Sequence, residues 1–414
     1  MVNNAYTKLE LIQAQVSFIP EGWKLDKVGK ALKIKNNFRK PISQEVRSTI
    51  QGNYPYYGPT KIQDYISDYE QDGVYALIGE DGDHFLKYSS MKQTQFISGK
   101  CTVNNHAHII ESSKTCDSEW FYIFFKHRNI TNFLSRQGAG RFKLNKATLE
   151  KLPLLVPPLS EQRKIAKILG TWDKAISTTE RLIDNSKQQK KALMQQLLTG
   201  KKRLLDDSGK PFEGGWDNVA IGDVVELFNG FAFKSGDTLE TGCKWLKIAN
   251  VGIGEIKWKD SSYLPEDYKS EYKKYCLKVG DIVVAMTRPT LGNQLKIARL
   301  KRKSDESLLN QRVAKLLFSD KVSCEYMYQL LSTIEVALKL NSALLGTDPP
   351  NLSAKVLHEI QMKMPPLVEQ QKIALVLTNA DKEIELLEQQ LADLKQEKKA
   401  LMQQLLTGKR RVKI

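Results

Sequence analysis

Apolar residues fall in a heptad rhythm in two stretches of this chain. In the second, Ile373, Leu377, Ala380, Ile384, Leu387, Leu391, Leu394, Lys398, Leu401 and Leu405 follow one another at alternating spacings of four and three. That is the a/d pattern of a helix burying one seam against another helix. The first stretch keeps the same register through Ile165, Leu169, Trp172, Ile176, Thr179, Ile183, Ser186, Lys190, Leu193 and Leu197. Pro157-Pro158 and Pro365-Pro366 stand ahead of the two stretches, and neither holds an interior proline. Gly200 and Gly408 close them, with Lys201-Lys202-Arg203 and Lys409-Arg410-Arg411 beside the negative helix ends. Each seam runs 33 residues, roughly 50 Å at 1.5 Å per residue. A seam of that length needs a partner, and the other copy is the obvious one. Two equivalent units related by a two-fold axis across their helices pair antiparallel. The alternative packs each helix on its own domain. The first seam is the more polar, through Thr179, Ser186 and Lys190, which leaves surface for another protein.

The two stretches belong to a long-range repeat. Residues 157–204 recur 208 positions later without a gap, with 28 identities in 48 positions. The offset carries back to Leu149 on Leu357 and Leu152 on Ile360, whereas Gly22-Trp23 matches Gly215-Trp216 at an offset of 193. A period near half the chain is too long for a solenoid and means two copies of one large unit. Between residues 39–129 and 230–330 no alignment is evident. The chain therefore divides into an N-terminal segment (1–18), a variable domain (19–156), a constant helical spacer (157–204), a second variable domain (205–364) and a second constant spacer (365–414). In a pseudo-symmetric chain residues 1–18 are placed to pack near the C-terminal tail.

Both variable domains show short β-type runs broken by Gly, Pro and Asn: Val74–Gly79, Phe96–Ile97, Cys101–Val103 and Ala107–Glu111, then Trp245–Ala249, Gly280–Met286 and Arg312–Phe318. A helical stretch follows each, Ser118–Arg128 and Cys324–Leu340. The fold class is thus α+β: two mixed α/β domains joined and spaced by two long helices that form an antiparallel coiled coil with pseudo-two-fold symmetry. Irregular loops carry the candidate chemistry. In the first domain these are Tyr54, Tyr56 and Tyr57 beside Lys61, the acceptors Glu80 and Asp81, Asn104-Asn105-His106, and Arg141. In the second they are Lys234-Ser235, Arg288, Asn293-Gln294 and Asn310-Gln311-Arg312. Arg and Lys match guanine in the major groove, Asn and Gln adenine, Asp and Glu cytosine. The bland reading of each is a surface group or a phosphate contact.

Charge sharpens that choice. The formal net charge is +16, of which residues 205–364 contribute only +1. A basic chain is the electrostatic footprint of a polyanion, most often nucleic acid; in the second domain the binding face must be a local patch. No apolar run approaches the roughly 18 residues of a membrane span, and no signal-peptide stretch opens the chain. Five cysteines without a CxxC pair suit reduced cytosolic thiols. Asp348-Pro349-Pro350-Asn351 resembles an amino-methyltransferase motif but lacks the aromatic fourth residue and a preceding apolar strand. His106 and His108 lack a third clustered ligand, so a hydrogen-bonded pair is expected there in place of a metal site. Glu255-Ile256-Lys257 lacks the preceding acidic partner of a nuclease E-x-K. No catalytic constellation and no metal site emerges.

These features together resemble one family, the DNA specificity (S) subunit of type I restriction–modification systems. The resemblance rests on Pro-Pro-Leu-x-Glu-Gln-x-Lys-Ile-Ala at 157–166 and 365–374 and on the two Lys-Lys-Ala-Leu-Met-Gln-Gln-Leu-Leu-Thr-Gly-Lys tails. Glu-Gly-Trp at 21–23 and Gly-Asp-Ile-Val-Val-Ala-Met at 280–286 resemble the family's target recognition domains, the first domain looking like a different type from the second. The resemblance implies that each target domain recognises half of an asymmetric bipartite site in double-stranded DNA. The helices would act as a ruler and dock two methyltransferase (M) subunits. This chain would be non-catalytic, cytoplasmic and free of cofactor; S-adenosylmethionine would sit in the M subunits, ATP and Mg in the restriction (R) subunits. Half-sites on one side of B-DNA lie about 34 Å apart, within reach of a rod of roughly 50 Å. Two rivals stand beside this reading: a coiled-coil DNA scaffold without sequence preference, and a nuclease or methyltransferase acting alone.

Overall fold

The computed structural model describes residues 7–137, 141–346 and 348–414. The chain forms two compact units, Met1–Glu180 with Gln390–Ile414, and Arg181–Gln389. Both heptad stretches are helices of 39 residues, Leu159–Leu197 and Leu367–Leu405. Each helix contributes one end to one unit and its other end to the other unit.

In the first unit a six-stranded sheet runs in the order Lys33–Ile34, Ala107–Glu111, Gln71–Gly79, Thr94–Val103, Gln51–Tyr57, Ile62–Ile66. The strand Thr94–Val103 covers two of the β-type runs in one element, bending through Gly99 at φ 83°, where glycine carries no Cβ penalty. The helix Ser118–Phe125 buries Trp120, Phe121, Phe124 and Phe125 against the sheet. Trp120 also donates its indole N–H to the Leu155 carbonyl at 2.8 Å and meets Trp23 edge-on at 5.9 Å. The strand Lys24–Lys27 pairs antiparallel with Pro153–Val156, which leads into the first long helix. Leu405 and Leu406 join this core together with Ala14, Val16 and Ile19, so residues 7–19 and the end of the second long helix share one apolar cluster.

The second unit carries two four-stranded sheets. One runs Val225–Asn229, Val313–Phe318, Ile282–Ala285, Ile297–Arg299; the other Tyr263–Leu264, Cys243–Leu246, Ser307–Leu309, Cys276–Leu277. The helical stretch after them is two helices, Cys324–Leu331 and Ile334–Ala343, separated where Thr333 caps the second. Asp217–Ala220 pairs with Gln361–Met364, the counterpart of Lys24–Lys27 with Pro153–Val156.

Where the long helices meet, every seam position named above is buried or half-buried. Ion pairs fix their direction. In the first unit Lys398 donates to Asp173 and Lys395 meets Glu180 at 2.8 Å; in the second Lys187 meets Glu388 at 2.7 Å and Lys190 meets Asp381 at 2.6 Å. Rising numbers on one helix face falling numbers on the other, so within each unit the pairing is antiparallel. Two of these lysines, Lys190 and Lys398, occupy seam positions. Asp173 also receives Lys126, 3% exposed, at 3.2 Å. Burial pushes the Asp173 carboxyl upward, but Lys398 and Lys126 outweigh it and hold the group below its ordinary value.

A second bridge recurs in both units. Glu161, 2% exposed, accepts from both Arg411 and the Trp23 indole at 3.1 Å. Glu369, fully buried, accepts two hydrogen bonds of 2.6 Å from Arg203. Beside them Gln162 and Gln370 receive the backbone N–H of Asp117 and Ser323, both at 2.9 Å. The Pro-Pro-Leu-x-Glu-Gln motif therefore joins each long helix to its variable domain. All five cysteines are free thiols; burial pushes Cys101 and Cys243 up to about 11 and Cys116 up to about 12, which keeps them protonated and unreactive. No helix among the described residues is long and apolar enough to cross a membrane.

Candidate nucleic-acid interface

The two variable domains share one hydrogen-bonded frame, at an offset of 206 for residues 77–80 and 103–125 and at other offsets for the segments that join it. Central strands pair identically: Gly79 opposite Ala107 in the first unit, Ala285 opposite Val313 in the second. A short parallel pairing recurs as Tyr57 beside Val103 and Leu246 beside Leu309. The helices Ser118–Phe125 and Cys324–Leu331 coincide at the same offset. Over 103–125 against 309–331 only Asn104/Asn310, Ser113/Ser319, Glu119/Glu325 and Tyr122/Tyr328 are identical. That is too thin a signal beside the 28 identities at 208, which is why the correspondence stays hidden in the sequence.

The frame converges on one turn. Asn104 donates its N–H to the Tyr57 carbonyl at 3.0 Å, and Asn310 to the Leu246 carbonyl at 3.2 Å. Each asparagine then folds its side chain over the turn: Asn104 Oδ1 accepts from His106 N at 2.9 Å, Asn310 Oδ1 from Arg312 N at 3.0 Å. The carbonyls of His106 and Arg312 accept from Glu80 N at 2.8 Å and Met286 N at 3.0 Å. The carbonyls of Glu80 and Met286 in turn accept from Leu144 N at 2.7 Å and Leu352 N at 2.8 Å. Asn105-His106 and Gln311-Arg312 are thus held by their backbones while their side chains are exposed.

Around this turn the first unit gathers Glu80, Asp81, Asn105 and His106. His106 Nδ1 lies 3.0 Å from Asp81 Oδ2, and Arg39 bridges Glu80 at 2.6 Å and the Asn105 carbonyl at 2.9 Å. Burial raises the Glu80 carboxyl, yet Arg39, His108 and Lys143 hold it below its ordinary value, so its oxygens are already committed. His108 is buried, between Asn36 at 2.8 Å and the Leu144 carbonyl at 2.6 Å. Burial drives its imidazole below the ordinary value. Two candidates are corrected here. Tyr56 is 1% exposed with its hydroxyl donating to the Lys40 carbonyl and accepting from Ile42 N; Asn104 is 4% exposed and donates to Gln63. Both are framework, because aromatic bulk and a turn-capping amide serve the interior here. Tyr57 is half-buried in the inner core of the sheet. Lys61 is exposed in the turn after it. Tyr54 meets Tyr69 at 5.0 Å with the rings tilted by 59°, and Lys100 lies over both, a cationic aromatic group that the sequence reading missed because Tyr69 lies in the loop before Gln71–Gly79 and Lys100 on Thr94–Val103. Arg141 lies on the strand Arg141–Lys143, but its side chain and the preceding residues 138–140 lie outside the described residues.

In the second unit the turn gathers Asn310, Gln311, Arg312 and Arg288. Arg288 is exposed, at φ 47°, and its N–H is pinned to the Pro350 carbonyl at 2.8 Å. The Asp348–Asn351 segment is thereby a loop docked on the turn, with Thr287 bonded to Asn351 at 2.7 Å. Burial and the charge of Arg288 together hold the Lys296 ammonium below its ordinary value, a local surplus of positive charge. Asn293 and Gln294 are exposed on the hairpin that turns at Gly292. Lys234 and Ser235 are exposed just after Phe233, which is buried among Phe231, Trp245, Tyr268 and Tyr272. Among the described residues no cluster of three or more His, Cys, Asp or Glu could hold a metal.

The type I restriction modification DNA specificity domain model matches residues 20–186 and 213–396. The chain is 33% identical over 404 residues to the type I restriction enzyme MjaVIII specificity subunit of Methanocaldococcus jannaschii, covering 95% of this chain and 94% of that one. It is 29% identical over 184 residues to the type I restriction enzyme EcoAI specificity subunit of Escherichia coli, across 44% of this chain and 31% of that one. In fold it is similar to the crystal structure of the type I restriction–modification system S subunit from M. genitalium, with a TM-score of 0.62 at 14% identity, covering 94% of this chain and 96% of that one.

Proposed function

Because this chain belongs to the family of type I restriction–modification DNA specificity subunits, we propose that each variable domain reads one half of a bipartite site in double-stranded DNA. The observation that carries this is the repeated frame. Two matching sets of backbone and asparagine side-chain hydrogen bonds present two different exposed pairs of side chains, and one frame with two different tips suits two different half-sites. Arg288, exposed beside the turn, would supply local phosphate attraction in the near-neutral second domain. Helices of 39 residues span roughly 58 Å and would act as the ruler between half-sites while docking two methyltransferase subunits. The chain would itself be non-catalytic and cytoplasmic. S-adenosylmethionine would be held by the methyltransferase partners, and ATP and Mg by restriction subunits.

The test is long-read sequencing of adenine methylation in cells expressing this chain with its methyltransferase partner. The expected result is one asymmetric motif of two short blocks and a fixed gap, lost when this chain is deleted. A methylome indifferent to the chain rejects the reading. With four residues inserted after Ser186, about 6 Å of helix, the gap should grow by about two base pairs; an unchanged gap rejects the ruler.

A further inference from the structure

We infer that Asn105-His106 and Gln311-Arg312 are equivalent base-reading tips, so that two domains without alignable sequence read DNA from the same two positions of one frame. The inference rests on the family reading above and goes beyond it by assigning specificity to particular residues. Three observations converge. First, the residue before each tip is asparagine in both units, and it spends its side-chain oxygen on the turn; the frame residue is constant while the two tip residues differ. Second, the carbonyls of His106 and Arg312 are tied to Glu80 and Met286 and their N–H groups to the asparagine of the same turn, so the side chains project from a backbone that has little freedom left to lose. A reading group held this way forfeits little entropy on binding. Third, the side chains suit the task. Gln311 and Arg312 are exposed, and neither has a hydrogen-bonding or ionic side-chain partner among the described residues. An Arg fork matches guanine O6 and N7, and a Gln or Asn amide matches adenine N6 and N7. In the first unit Asp81 orients the His106 ring; at the equivalent position Thr287 instead bonds Asn351 and leaves Arg312 free to extend.

The frame also explains what the tips are not. Glu80, engaged by Arg39 and Lys143, and its counterpart Met286 serve the turn through their backbones. Arg288 and Lys296, beside the second tip, fit phosphates, which position a protein on DNA without reading its sequence.

The experiment exchanges the tips in the full-length chain: Gln311→Asn with Arg312→His, and separately Asn105→Gln with His106→Arg. Each purified complex with the methyltransferase partner selects binders from a pool of random-sequence double-stranded DNA. If the parent complex selects no two-block motif, the specificity reading itself fails. If the parent selects one, each exchange should alter one or two neighbouring base pairs within one block, a different block for each exchange. Preference there should fall about tenfold, with the other block and the gap unchanged. Both blocks unchanged in either exchange overturns the inference. A variant that loses selection in one block, keeps the other, melts with the parent and still binds unselected DNA supports it; one that loses selection in both blocks overturns it. Loss of that non-specific binding as well counts against it. Should the double exchange at the second tip melt below the parent, Arg312→Lys takes its place. Retained preference in Arg312→Lys overturns the inference, because an ammonium lacks the fork.

Discussion

The two units seat the same buried glutamate in different company. Glu161 receives Arg411 and the Trp23 indole. Among the described residues Glu369 receives Arg203 alone, although Trp216 stands at the position equivalent to Trp23, its buried indole N–H without a partner there. The arginines differ as well, with side chains 41% exposed for Arg411 and 23% for Arg203. The contrast teaches that a repeated motif fixes where a charge is buried, not how many donors meet it. A buried carboxylate with a single partner depends wholly on that partner.

The largest effect should therefore come from Arg203→Ala, which leaves Glu369 buried without a side-chain donor and should destabilise the second unit by about 3–5 kcal/mol. Arg411→Ala should cost less, because Trp23 still donates to Glu161 and a hydrogen bond to a charged group contributes about 1.5–3 kcal/mol. Urea unfolding midpoints measure both; equal losses would break the comparison.

A smaller contrast lies along the seam. Asp173 answers two lysines, Lys398 and Lys126, whereas Asp381 answers Lys190 and the neutral Gln329. Asp173→Asn should exceed Asp381→Asn by about 1–3 kcal/mol, since only the former strands two cations. The sign of its pH dependence follows from the direction of the Asp173 shift. A carboxyl depressed in the folded state contributes stability in full above its ordinary value of about 4 and loses it as pH falls through the lower folded value. Melting temperature against pH should thus fall less steeply below about pH 4 in Asp173→Asn than in the parent. An identical acid limb would show that Asp173 adds nothing to acid stability.

The smallest effects belong to the exposed pairs Lys187–Glu388 and Lys395–Glu180. Lys187→Ala and Lys395→Ala should each change stability by about 0.2–1 kcal/mol, equally in the two units. A clear inequality in thermal melts would sharpen the comparison, since the exposed rim is where the units look most alike.

The heptad spacing placed both long helices within the segments 157–204 and 365–414, where the helices run Leu159–Leu197 and Leu367–Leu405. Heptad spacing is a local, periodic consequence of helix geometry, and the seam needs no knowledge of what else surrounds it. The same reading missed the bridges Glu161–Arg411 and Glu369–Arg203 although all four residues sit inside the repeated motifs. Their pairing joins the start of one helix to the tail beyond the other, and no spacing rule spans that distance. In the variable domains, exposure was the failing inference. Tyr56 and Asn104 read as surface chemistry because aromatic and amide side chains suit a binding loop, yet both fill the frame. Whether a polar side chain faces water depends on the neighbouring strand, which can be a hundred residues away.

The sequence by itself determined the duplication, the constant and variable segments, the helical seam and the family. Each is carried by identity or periodicity along the chain, where neighbours in sequence are neighbours in space. Only the tertiary structure decided that the two variable domains share one frame, centred on strands at an offset of 206, that Asn104 and Asn310 hold it, and that the residues after them stand exposed. Backbone hydrogen bonds between distant strands build that frame, and almost any side chain can accompany a backbone hydrogen bond. A fold held that way leaves little trace in the letters of its sequence.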